Sequence, residues 1–264
     1  MELLEVLNKV NGVLWGTPSL VLLCGTGLLL TILLRGLQFR KLLYAFKLAF
    51  TKEGNSSSSD EGDVSNFKAL MTALAGTIGN GNIAGVATAI TIGGPGAIFW
   101  MWVVGLIGMA TKYAEALLAM KYRVKNANGE YSSGPMYYVE KGLGKKFKWL
   151  AIAFALFGAF AAFGIGNSVQ SNTIANVMES SFHVSTIVTA IILVILAGLI
   201  TFGGIQRIST VAGFFVPVMA FLYIGGSLII LGVNYDQIIP SFKLIFFYAF
   251  NPVAATGGFV GIVV

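Results

Sequence analysis

Between Gly76 and Gly85 the chain reads GTIGNGNIAG, four glycines and two asparagines with apolar helical sequence on both sides. Each glycine costs a helix about 1 kcal/mol relative to alanine. Gly76, Gly79, Gly81 and Gly85 therefore weaken one place together, and Asn80 and Asn82 compete for the backbone groups that the weakness frees. A helix interrupted here can do chemistry without charged side chains. The free N–H groups and positive dipole end of an outer half beginning near Asn82 suit a carboxylate. The carbonyls that end an inner half, at Ala75, Gly76 and Thr77, suit Na+, with the Thr77 hydroxyl assisting. An amino-acid zwitterion plus a cation is the ligand set that fits, with Thr77, Gly79, Asn80, Gly81 and Asn82 on the substrate side.

Two other readings compete. Small residues let transmembrane backbones approach, and Gly81-x-x-x-Gly85 fits that packing pattern, although packing does not require the asparagines. Gly79-x-Gly81-x-x-Ala84 also matches the loose dinucleotide fingerprint. That motif needs a preceding strand and an acid about 20 residues on, whereas the next acid here is Glu115, beyond another apolar run. Irregular backbone at membrane depth is tolerated only where it is buried in protein or lines a cavity, which favours an interruption that forms a site.

Other polar residues fall into smaller groups. Phe163, Asn167, Gln170 and Ile174 recur at helical spacing, so one face would present an aromatic wall and two amides; such amides bind ligand or glue helices. Lys112 and Glu115, at i and i+3, would pair or snorkel, or would form a cytoplasmic gate with Arg207. His183 sits in a polar loop. Cys24 lies inside an apolar run, so the single cysteine excludes an intramolecular disulfide. The sequence offers no nucleophile set, carboxylate pair or metal-ligand cluster, which argues against an enzyme and against an organic cofactor. The spans also hold no mid-membrane Asp, Glu or His, which favours Na+ over a proton as coupling ion.

The elements that must position these groups are membrane helices. The 264 residues are 56% hydrophobic and 11% charged, with a mean hydropathy of +0.82, which places them in the membrane class. Apolar runs of spanning length are predicted at 17–35, 97–120, 148–177, 184–203 and 208–233, with 66–91 as a sixth that contains the glycine stretch. Another begins near Leu244 and runs to Val264. The first is read as a retained anchor, because MELLEVLNKV lacks the basic start of a signal peptide and no cleavage site follows. The net charge of +6 does not indicate nucleic acid, since the basic residues fall between spans. If 66–91 crosses and the N-terminus is outside, fifteen of the 17 Lys and Arg lie in inner loops and helix ends, leaving only Lys9 and Lys243 outside. That is the positive-inside pattern, and it makes the 36–65 loop cytoplasmic. Within that loop, YAFKLAF is amphipathic and TKEGNSSSSDEGD reads as a flexible linker.

The stretch Gly76–Arg123, together with SSGPMYYVEKGLG (132–144), GNSVQSNTIA (166–175) and FGGIQRIS (202–209), resembles the alanine or glycine:cation symporter family, the sodium:alanine symporters. The resemblance covers the chain from about Asn66 onward. It implies an all-α polytopic membrane protein with a leucine-transporter-like inverted-repeat fold. An anchor helix and cytoplasmic loop (1–65) would precede a first five-helix repeat (66–233). Residues 234–264 would be an outer loop and the start of a second repeat, cut short, with Ala254–Gly258 approaching a second interrupted helix. It further implies Na+-coupled uptake of alanine or glycine across the cell membrane. The alternatives are a proton- or Na+-coupled permease for another small amino acid, or a truncated chain that does not transport.

Overall fold

Apolar runs become helices here, and glycine, proline and charged residues set their ends. The computed structural model describes residues 2–14, 16–51, 64–127, 129, 131–164 and 167–250. In chain order the helices are α1 (Glu2–Leu14), α2 (Thr17–Leu33), α3 (Leu37–Arg40), α4 (Leu42–Phe50), α5 (Asn66–Thr77), α6 (Ala84–Gly93) and α7 (Ala97–Lys121). They continue as α8 (Pro135–Leu143), α9 (Lys148–Gly164), α10 (Ser168–Phe182), α11 (Thr186–Thr201), α12 (Gly204–Val233) and α13 (Tyr235–Tyr248). A two-residue antiparallel pair, β1 (Val124–Lys125) and β2 (Tyr131–Ser132), links α7 to α8. The protein is thus an all-α membrane protein. Among the described residues, three stretches are long and apolar enough to cross a bilayer: Glu5–Leu33, which runs over Trp15, itself not described, then Ala97–Lys121 and Gly204–Val233. The apolar helices α6 and α11 are shorter.

Local chemistry explains the boundaries. Proline in the first turn starts α2 behind Gly16. Past its end the chain reverses through Arg35 (φ 53°) and Gly36 (φ 62°), both left-handed. The Ser65 hydroxyl caps α5 by accepting the Lys68 N–H at 3.4 Å. Pro217 lies within the 30-residue α12, where its ring removes one backbone hydrogen bond.

Two features differ from the sequence expectation. The run 148–177 is not a single element: α9 ends at Gly164 and α10 begins at Ser168, with 165–166 outside the described residues. Residues Glu2–Leu14, whose first part was read only as lacking a signal peptide, form α1, with Lys9 paired to Glu5 at 3.1 Å one turn away. YAFKLAF is helical within α4, while 52–63 of the polar linker and the Ala254–Gly258 run lie outside the described residues.

The chain divides into two compact units. The first comprises 1–43, 81–114 and 226–264. Within it Gly27 lets α2 approach α7 closely, since a Cβ there would sit 2.4 Å from Ile107 Cγ2. Aromatic residues of α13, Phe242 and Phe246, pack against Trp102 and Phe99 of α7. The second unit comprises 44–80 and 115–225. Its core joins α5 to α12: Met71, Ala212 and Val216 are buried, with Phe67, Leu70 and Leu74 packed around them. Lys68 Nζ adds a 3.0 Å bond to Thr210 Oγ1 beside this core. Met71 is only 3% exposed, so Met71→Ala should cost about 2 kcal/mol or more and lower the melting temperature in detergent. A variant as stable as the parent would mean that α5 is not held by this contact.

Candidate functional site

The helix predicted across 66–91 is interrupted where the glycines cluster. α5 stops at Thr77 because Ile78 is extended (φ −87°, ψ 111°), although its N–H still reaches the Leu74 carbonyl. Asn80–Asn82 form one 3₁₀ turn, and α6 begins only at Ala84. The second half thus begins at Ala84, close to Asn82. Its cap, Ile83, supplies no side-chain bond.

One side chain from elsewhere in the sequence engages the interruption. In a continued helix the Asn80 N–H would donate to the Gly76 carbonyl. Instead it donates to Gln170 Oε1 of α10 at 3.3 Å. Gly79 makes room for this: a Cβ there would lie 2.8 Å from Gln170 Nε2 and 3.4 Å from its Cδ. Close approach, and not backbone strain, is what distinguishes Gly79, since a Cβ there would displace the end of the Gln170 side chain, whereas the described glycines with positive φ are at 36, 94, 129, 134, 144 and 204, none of them in this stretch. A Cβ added at Gly76 would meet nothing within 4 Å, so the role of Gly76 is limited to helix propensity and its carbonyl.

Two polar atoms stand out. Asn80 Nδ2 is enclosed and makes no hydrogen bond among the described residues; a buried donor without a partner costs about 1–3 kcal/mol. The Thr77 hydroxyl donates to the Ala73 carbonyl at 2.7 Å. Its proton is therefore committed within the helix, and its lone pairs remain able to accept or to coordinate. Ala75, Gly76 and Thr77 are all exposed at the end of α5. This donor set, hydroxyl and carbonyl oxygens without a carboxylate, is compatible with a monovalent cation and poor for a transition metal.

The other expected residues are not all brought together. Gln170 meets Gly79 and Asn80, but Asn167, one turn earlier, is exposed at the start of α10 and accepts a bond from Ser171 Oγ at 3.2 Å. Phe163 lies on α9, a different helix from Gln170, so the single amphipathic face expected of the two does not exist as one element. The placement of its side chain falls outside the described residues. Gly81 and Asn82 belong to the other compact unit. Arg207 folds back to donate to the Leu199 carbonyl at 2.7 Å, closing the turn between α11 and α12, and forms no ion pair among the described residues. Within the second unit the charge of Glu115 acts on Tyr138: burial first, and that charge second, raise the Tyr138 hydroxyl above the ordinary tyrosine range. Lys112 lies in the first unit.

A cavity of about 820 Å³ adjoins the end of α5, walled by Ala75, Ile78, Phe215, Val216, Met219 and Leu222. Nothing in the sequence pattern singled it out, because its walls are ordinary apolar helix positions. It offers an apolar surface beside the polar groups of the interruption.

A family profile described as the sodium:alanine symporter family matches residues 1–264. Among curated proteins, the sodium/alanine symporter AgcS of Methanococcus maripaludis is 53% identical over 99% of this chain and 58% of its own length. The putative sodium/proton-dependent alanine carrier protein YrbD of Bacillus subtilis is 44% identical over 98% of the chain and 52% of its own length. The probable sodium/glutamine symporter GlnT of the same organism is 38% identical over 98% and 53%. The chain thus spans a little more than half the length of these relatives.

Proposed function

For a chain that belongs to the sodium:alanine symporter family, we propose Na+-coupled symport of a small neutral amino acid, alanine or glycine, across the cell membrane. The observation that carries this reading is the α5–α6 interruption, where the Asn80 N–H leaves the helix for Gln170 and Asn80 Nδ2 is enclosed without a hydrogen-bond partner among the described residues. Carbonyls of Ala75 and Gly76 with the Thr77 hydroxyl would hold Na+. Backbone and amide N–H groups around Gly79, Asn80, Gly81 and Asn82 would take the substrate carboxylate, and the cation would offset the charge of that carboxylate in a low dielectric. Gln170 would position this loop, Phe163 would wall the pocket with Asn167 at its margin, outside direct contact with substrate, and Lys112, Glu115 and Arg207 would gate its cytoplasmic side. In this reading 66–233 is the first repeat, 1–65 the anchor and loop, and 234–264 the start of the second. The Lys and Arg distribution supports an outside N-terminus.

Glutamine is the second substrate to test, because a relative at 38% identity is named for it. A proton is the second coupling ion, since the relative at 44% identity is named for both. The test is uptake of labelled alanine, glycine and glutamine into vesicles carrying the whole protein, with an inward Na+ gradient, with K+ replacing Na+, and with a pH gradient alone. Alanine or glycine should accumulate only with the Na+ gradient, and the ionophore that dissipates it should remove most of the accumulation. Equal uptake in K+ would overturn Na+ coupling, and accumulation driven by the pH gradient alone would assign the proton.

A further inference from the structure

Away from the interrupted helix, the junction of α8 and α9 gathers charge in a way the transport reading does not use. Its sequence, Lys141–Trp149, is KGLGKKFKW, with lysines at 141, 145, 146 and 148. Gly144, at φ +90°, turns the chain out of α8, and one 3₁₀ turn, Lys145–Phe147, carries it into α9. The turn is held from below. Tyr122, at the end of α7, packs against Gly142, whose added Cβ would touch its ring at 3.3 Å, and Tyr138 sits in the field of Glu115. The lysines are therefore fixed on a structured corner and not on a loose loop.

Their partners are unevenly distributed. Lys148 pairs with Glu140 at 3.1 Å, whereas Lys141, Lys145 and Lys146 are exposed and have no acidic partner among the described residues. Interleaved with them are three apolar side chains that the protein does not cover: Leu143 is 58% exposed, Phe147 42% and Trp149 66%. Trp149 stands in the first turn of α9, where the apolar helix begins. An aromatic at that level sits among lipid headgroups, and its neighbouring ammonium groups then lie at the depth of the phosphates. Simple topology would need only that cations be present in the loop. A structured turn that interleaves three lysines lacking an acidic partner among the described residues with uncovered Leu, Phe and Trp is complementary to a ligand that is both anionic and apolar.

We propose that this corner binds anionic phospholipid, with Lys141, Lys145 and Lys146 holding headgroup phosphates and Leu143, Phe147 and Trp149 seated against the acyl chains of the same leaflet. The test uses the full chain reconstituted in phosphatidylcholine vesicles with trace spin-labelled phosphatidylglycerol or phosphatidylcholine. A basic residue near the surface is worth at most roughly fivefold in such association, so the parent should prefer the anionic label by about threefold or more. The triple variant K141Q/K145Q/K146Q should fall to near parity, and the charge-conserving K141R/K145R/K146R should retain the preference. Raising the salt should weaken the parent's preference. Retention of the preference by the glutamine variant overturns the proposal, as does a preference indifferent to salt, which can be measured even where the glutamine variant fails to insert. Abolition of the preference by millimolar inorganic phosphate would also overturn it, by assigning the corner to a soluble anion.

Discussion

Gly79→Ala is expected to lower amino-acid affinity of the whole protein by about tenfold or more while leaving membrane insertion intact. The added methyl would lie 2.8 Å from Gln170 Nε2, well inside van der Waals contact, so either the Gln170 side chain or the loop must move. If Gln170 moves, the Asn80 N–H loses the acceptor that it reaches at 3.3 Å. A part-buried N–H left without a partner costs up to about 1–3 kcal/mol, roughly a factor of ten or more in a binding constant at the upper end, before any misplacement of neighbouring N–H groups is counted. The control is Gly76→Ala. A methyl there meets nothing within 4 Å, lies inside α5, and should stabilise that helix by up to about 1 kcal/mol, with binding retained. The measurement is Na+-dependent protection of the purified protein against heat by alanine and glycine. Equal, undiminished protection in both variants would return the glycine stretch to helix packing.

The contrast between these two glycines also shows what was legible in the sequence. That a helix breaks within 76–85 followed from summing glycine penalties, a property of local composition, and the break appears at Ile78–Ile83. The long spans 97–120 and 208–233 were legible for the same reason, since length and hydropathy are local sums, and α7 and α12 match them closely. Which glycine matters sterically was not legible. It depends on Gln170, ninety residues on, and no periodicity reports a contact at that separation. The single face drawn through Phe163, Asn167 and Gln170 failed because helical spacing was carried across Gly164, Gly166 and Asn167, whereas α9 ends at Gly164 and α10 begins at Ser168. Arg207 was expected as a gate contact from its place at the entrance of 208–233, and its local partner was not legible. The structure uses its guanidinium on a backbone carbonyl at a helix end, where orphan C=O groups attract cations.

Separating the two amides of α10 gives the last expected result. Sequence spacing treated Asn167 and Gln170 alike, but only Gln170 touches the interruption, while the Asn167 side chain is exposed and receives a single bond from Ser171. Gln170→Ala removes the acceptor of the Asn80 N–H and leaves the loop unsupported, so amino-acid affinity should fall by about tenfold or more, as for loss of a hydrogen bond near a charged ligand. Asn167→Ala removes an exposed bond and should change stability by no more than about 0.5 kcal/mol, with affinity within a factor of about two. Gln170→Glu discriminates further. A carboxylate still accepts the Asn80 N–H, so loop geometry and thermal stability should survive, but its charge would repel the substrate carboxylate and attract the coupling cation. Amino-acid affinity should then fall while Na+ affinity holds or rises. If Gln170→Glu and Gln170→Ala lose both ligands equally, Gln170 acts only through the fold of the loop. If Asn167→Ala proves the more damaging, the substrate lies nearer the start of α10 than the Asn80 contact places it.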